Sequence, residues 1–145
     1  MFALVHFETR EVRSTVGNDV TGKTLAAKLE ENTIIGETYL QTDSSMSYTA
    51  VGKRARQHET VNHAAGQYKL EGGASTNLLE GFFSQLKRSL DGTHHSVSAV
   101  HLNRYLAQFD FMYTHCKRTD SDRMRTLLGQ VTGRRLTYKP LSGNA

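Results

Sequence analysis

The stretch Thr76 to Asp91, TNLLEGFFSQLKRSLD, constrains this chain most, because it reads as one amphipathic helix with two differently built faces. At the α-helical period Leu79, Phe82, Phe83, Leu86 and Leu90 fall on one side, and Asn77, Glu80, Ser84, Lys87 and Asp91 on another. The apolar stripe is predicted core and needs a packing partner. The polar stripe sets a carboxylate and an ammonium seven residues apart, two turns along one face, which makes Glu80 and Lys87 the first candidates for chemistry. Opposite charges two turns apart also occur on helices that are merely solvated. Gly81 is a reason to look closer. A glycine inside a helix costs about 1 kcal/mol relative to alanine, so something is expected to approach the backbone beside Glu80.

The partner is read downstream. From Ser96 to Lys117 a long helix is predicted, with Leu102, Tyr105, Leu106, Phe109, Met112, Tyr113 and Cys116 tracing its buried stripe at three- and four-residue steps. Upstream, Phe2 to Phe7 and Glu11 to Val16 are β-prone runs that read as a hairpin around Glu8-Thr9-Arg10. Asn18 to Thr21 offers caps for a helix over Thr24 to Asn32, and Ile34 to Gln41 follows as a strand ending at Thr42-Asp43. Ser45 to Gln57 is predicted helical with a basic end, Lys53-Arg54-Arg56, suited to phosphates or to the helix dipole. Glu59 to His63 is a short strand and Ala64 to Ser75 a loop. Asp120 to Gln130 is a last short helix, followed by a basic tail over Gly133 to Lys139.

One α/β domain is expected over residues 1–145. Residues 1–63 form its hairpin and strand/helix part, 76–130 the helical part that carries Glu80, and 131–145 the basic tail. With 37% hydrophobic and 22% charged residues the chain fits a globular domain, and no apolar run is long enough to span a membrane. Nothing at Met1 reads as a signal peptide, so the expected location is the cytoplasm. Cys116 is the only cysteine, which excludes an internal disulfide and a cysteine-based zinc site, and its register predicts a buried, inert thiol. The histidines match no standard zinc spacing. Charge is uneven: residues 1–80 hold eight Lys and Arg against ten acids, and residues 81–145 hold ten against four. A basic C-terminal half suits a polyanionic partner.

Asp43 stands where a strand leaves the sheet, the position at which catalytic groups collect in open α/β folds. An aspartate there also serves as the cap of a following helix. Position alone leaves both roles open.

The run Asn77-Leu78-Leu79-Glu80-Gly81-Phe82-Phe83-Ser84-Gln85-Leu86-Lys87-Arg88, then Gly92 to Ser98, then His101-Leu102-Asn103-Arg104-Tyr105-Leu106, resembles the end of the catalytic domain of bacterial insertion-sequence transposases of the DDE type. The branch concerned carries an N-x-x-E-G-F-F-S-x-L-K-R signature and usually an N-terminal zinc ribbon. Thr42-Asp43 and His58-Glu59-Thr60-Val61-Asn62-His63 resemble the same family's second acidic strand end and its next strand. The similarity runs, in order, over essentially the whole chain.

The resemblance implies a ribonuclease H-like mixed sheet flanked by helices, with a helical C-terminal part, and metal-dependent DNA cleavage and strand transfer. Asp43 would be the second acid and Glu80 the third, both ligands of Mg²⁺ or Mn²⁺, because two hard cations can stabilise attacking and leaving oxygens together. Lys87 would hold a phosphate of the transposon end, and Asn77 would orient a water on the metal. Lys87 and Arg88, with His94, His95 and Arg104, would contact DNA, at the transposon ends and the target, without reading sequence.

One part of the family pattern has no counterpart. The first strand with its catalytic Asp should precede Phe2, and Glu8 and Asp19, the nearest acids, are turn residues. The expectation is a transposase fragment whose sheet is incomplete, because the missing first strand is the central one. It should bind metal weakly and be inactive alone. Exposed inner edges would be closed by direct pairing or by association with another chain. The alternative is a non-catalytic DNA-binding or self-associating remnant. A hydrolase using Asp43 and Glu80 on another substrate has only those two acids in its favour.

Overall fold

A computed structural model describes residues 1–17, 19–61 and 76–134. The loop expected over Ala64 to Ser75, the end of the strand at Asn62 and His63, Asn18 and most of the basic tail lie outside them. The chain divides into two compact units, Met1–Thr114 and His115–Ala145.

In the first unit the elements run β1 (Phe2–Val5), β2 (Val12–Thr15), α1 (Gly22–Asn32), β3 (Tyr39–Asp43), α2 (Thr49–Gly52), β4 (Gln57–Val61), α3 (Asn77–Ser89) and α4 (Ala99–Thr114). The α/β class is as expected. Among the described residues the strands form two separate pairs: β1 and β2 antiparallel, with Phe2 opposite Thr15 and Val5 opposite Val12, and β3 and β4 parallel, with Tyr39 beside Gln57 and Asp43 beside Val61. Among the described residues β1 and β3 form no ladder with each other.

Strand alternation sends β1 into two cores. Ala3 and Val5 pack with Val12, Phe82, Leu86, Leu106 and Phe109, which joins the hairpin to α3 and α4. Phe2 and Leu4 pack on Leu29, Leu40 and Val51, which joins it to α1, α2 and β3. The hairpin is thus a middle layer, with helices on both faces. Phe82, Leu86 and Leu106 are each no more than 1% exposed. Burying side chains of this size is worth roughly 1.5–3 kcal/mol apiece, which sets α3 and α4 against each other as their stripes predict.

The hairpin's outer edge is closed by a helix. The bond from His6 N–H to Glu11 C=O (2.8 Å) fixes the ladder phase, so the amides of Val12, Ser14 and Val16 point away from β1. Each finds an acceptor on α4: Thr114 Oγ1 at 3.0 Å, Asp110 Oδ2 at 2.7 Å and Asn103 Oδ1 at 2.9 Å, respectively. Ser14 Oγ donates as well, to Asp110 Oδ1 at 2.7 Å. Three side chains on one helical face replace the strand that would otherwise be needed.

Three local expectations are corrected. The strand predicted from Ile34 begins at Tyr39, because Ile35–Glu37 form a 3₁₀ turn in which Thr38 Oγ1 donates to Ile34 C=O at 2.9 Å. The helix predicted over Ser45 to Gln57 is a 3₁₀ turn at Met46–Tyr48 and the single turn α2, since Gly52 must leave room for His58. A Cβ on Gly52 would lie 2.0 Å from His58 Nδ1. Cys116 is exposed rather than buried, because α4 ends at Thr114 and the thiol falls beyond the helical register that predicted its burial.

The second unit is built on α5 (Asp120–Val131), capped by Thr119, whose Oγ1 accepts from Asp122 N–H at 3.2 Å and donates to its carboxylate at 2.7 Å. Asp120 pairs with Arg123 one turn on. Met124, Leu127, Leu128 and Val131 form an exposed apolar stripe on it.

Candidate functional site

Asp43 sits at the last residue of β3 and is exposed. Its Oδ1 accepts from Ser45 N–H at 3.1 Å, so the side chain caps the turn that follows. The strand end beneath it is braced. Thr42, 8% exposed, donates to Asp43 C=O at 2.8 Å. With that proton committed, the Thr42 oxygen accepts from His58 Nε2 at 2.9 Å, which assigns the histidine's proton to Nε2. His58 in turn rests on Gly52. Sequence reasoning passed over this Thr42–His58–Gly52 brace, for which the only signal was a glycine six residues before a histidine.

Beside Asp43 lies a cavity of about 230 Å³. Phe2 and Ala3 of β1, Leu25 of α1, Tyr48, and Leu79 and Phe83 of α3 form its walls. Burial, and after it the Asp43 carboxylate, push the Tyr48 phenol above its ordinary value. Asp43 and the apolar residues Leu79 and Phe83 of α3 thus line one cavity.

Glu80 lies in the first turn of α3 and is exposed, where the positive helix end favours a carboxylate. Thr76, at the N-cap, gives its hydroxyl proton to Glu80 Oε1 at 2.8 Å instead of accepting from a backbone amide. The helix start is thus arranged around the acid. The group that approaches Gly81 is Tyr113 of α4: its hydroxyl donates to Leu78 C=O at 2.9 Å and lies 3.4 Å from where a Gly81 Cβ would stand. Tyr113 also meets the Phe82 ring edge-on, with centroids 5.4 Å apart. α4 therefore holds the Glu80 turn at both its backbone and its apolar side.

Asn77 and Glu80 open α3; Lys87 and Arg88 close it, both exposed in the last turn. The helix then widens into a π turn at Leu90–His94. His94 is half-buried, its ring edge-on to Tyr105 at 4.8 Å and to Phe109 at 6.4 Å, so it anchors the turn on α4. His95 is exposed with φ at 55°, and Arg104 is exposed on α4. Arg54, part of the basic end upstream, pairs with Glu30 of α1. Among the described residues no group of three His, Cys, Asp or Glu is placed to hold a metal ion, and no helix is long and apolar enough to cross a membrane.

The match with known proteins gives the class, an insertion-sequence transposase of the DDE type. Residues 1–114 match the family of the ISXO2-like transposase domain, and the chain belongs to that family. No curated protein and no solved structure matches it.

Proposed function

We propose that this chain is a DNA-contacting transposase domain of ribonuclease H-like architecture, with Asp43 and Glu80 as its acidic pair and α3 as the element laid along DNA. The observation that carries the reading is the polarity of α3: Glu80 in the first turn, Lys87 and Arg88 in the last, all exposed, with the opposite stripe buried against the hairpin. Two cations at the C-terminal end of a helix are stabilised by its dipole and present to phosphate without desolvation. Arg104 and His95 extend the basic surface from α4 and the π turn. His94 serves it indirectly, by pinning that turn to Tyr105 and Phe109.

Carboxylate oxygen suits Mg²⁺ or Mn²⁺, which would supply charge stabilisation at the reacting phosphate. Asp43 and Glu80 would supply two of the donors such a site needs. The second reading is a chain that binds DNA or a second copy without cleaving.

Salt-dependent DNA affinity tests the reading. Replacing Lys87 and Arg88 together by alanine should lower the slope of log affinity against log salt by about 1.8 on duplex DNA, since each phosphate contact contributes roughly 0.9. Absence of affinity at low ionic strength would remove it. Magnesium- or manganese-dependent nicking of a labelled end, lost in Glu80→Gln, separates the catalytic from the binding-only reading. Nicking that Glu80→Gln leaves unchanged removes the site assignment.

A further inference from the structure

The second unit carries a helix that the family match, which ends at residue 114, does not account for. Helix α5 is bounded at both ends. Thr119 caps its start, and at its close Arg134 N–H donates to Val131 C=O at 3.0 Å across Gly133, whose φ is 77°. Between those limits Met124, Leu127, Leu128 and Val131 recur at steps of three, one and three residues, which keeps them on one face, and they are 42–58% exposed. An exposed apolar stripe rimmed by polar residues marks an interaction surface.

The charges at its ends decide what covers it. Asp120 lies on the line of the stripe, one turn before Met124; it pairs with Arg123, yet its side chain is 91% exposed. Arg134, also exposed, stands three residues beyond Val131. The stripe is thus acidic where it begins and basic where it ends.

We propose that the apolar stripe of α5 is a self-association surface, packing antiparallel on the same stripe of a second copy of this chain.

A two-fold axis between Leu127 and Leu128 sets Leu127 against the partner's Leu128 and Met124 against the partner's Val131, so the stripe is complementary to itself. The same register brings Asp120 within one residue of level with the partner's Arg134, at both ends at once. It also sets the positive end of each helix dipole beside the negative end of the other. A parallel pair would stack acid on acid and base on base. A partner of one charge sign would satisfy one end of the stripe and oppose the other. Two 12-residue helices bury less than the roughly 1,200 Å² of a lasting interface, so the pairing is reversible and follows concentration. The inference gives the second-copy reading above a surface. It leaves α3, Asp43 and Glu80 aside, so DNA affinity can fail with self-association intact, and the reverse.

Sedimentation equilibrium tests it on the full chain in DNA-free, metal-free, low-salt buffer, over a concentration series reaching about 1 mM. Circular dichroism of each variant checks that helix content is kept. The wild type should pass from monomer to dimer. Leu127→Gln with Leu128→Gln, which keeps good helix formers at both positions, should raise the dissociation constant by roughly tenfold or more. Asp120→Lys and Arg134→Glu should each raise it by roughly fivefold, and an equimolar mixture of these two variants should associate as the wild type does, because opposite charges then face each other at both ends. Arg134→Glu lies beyond the helix and keeps the charge test readable if Asp120→Lys loses helix. A chain that stays monomeric throughout overturns the proposal, since the stripe is then covered within one copy. So does a dimer that the leucine substitutions leave unchanged, or one that Arg134→Glu does not weaken.

Discussion

The outer and inner edges of one hairpin, built of two four-residue strands, are made of the same backbone and meet different surroundings. On the outer side, Asn103, Asp110 and Thr114 reach from α4 and take the amides of Val16, Ser14 and Val12. On the inner side the chain leaves a cavity. A strand edge is a template for further pairing, and proteins blunt it by covering it. The three side chains of α4 therefore mark where growth of the sheet is stopped on the outer side.

The contrast is most strongly broken by loosening α4 as a whole. Leu106 is fully buried between α4, α3 and the hairpin, and Leu106→Ala should cost roughly 2–5 kcal/mol in urea denaturation, with the outer amides losing their protection together. Asp110→Ala comes next. It leaves two donors of Ser14 without their acceptor, at a cost of roughly 2–3 kcal/mol, whereas Asp110→Asn keeps an acceptor and should cost under about 1 kcal/mol. If the two variants are equally stable, the edge is not held by this carboxyl.

Smaller still is Asn103→Ala, which removes one exposed bond to Val16 and should cost about 1 kcal/mol or less, with faster exchange at Val16 alone. The smallest effect is on pH. Burial raises the Asp110 carboxyl above its usual 3.8, more than the two Ser14 bonds lower it, so the folded chain holds this proton more tightly than the unfolded one. Stability from this group is then fully present below the unfolded value and is lost as pH rises through the raised folded one. The wild type should gain on Asp110→Asn as pH falls toward 4; a constant difference would mean the carboxyl titrates normally.

What was legible in the sequence follows the same division. Apolar periodicity identified Leu79, Phe82, Phe83, Leu86 and Leu90 of α3 and Leu102, Leu106, Phe109 and Tyr113 of α4, all of which meet in one core. It could not identify the edge cover, because Asn103, Asp110 and Thr114 read as an ordinary wet face until the hairpin is folded against them. It overreached at Met112, which is exposed on α4, and at Cys116, where periodicity carries no mark of where a helix stops. Gly81 correctly signalled an approach to the backbone, but the approaching group is an internal tyrosine hydroxyl. At the site, Glu80 came from the polar face of its helix and Asp43 from its place at a strand end, with family resemblance supplying their metal-binding roles; of the two roles left open for Asp43 the structure shows the cap, one oxygen accepting from Ser45 N–H. The brace from Thr42 to His58 and Gly52 rests on a cross-strand pairing that no local pattern encodes.

Thr114 is at once the last residue of α4, the end of the family match and the end of the first compact unit. Its hydroxyl is also the final fastener of the hairpin's border. The natural place to divide the molecule is therefore one residue wide: severed after Thr114, the transposase portion keeps every stitch along that border, and severed before it, the seam begins to open at Val12.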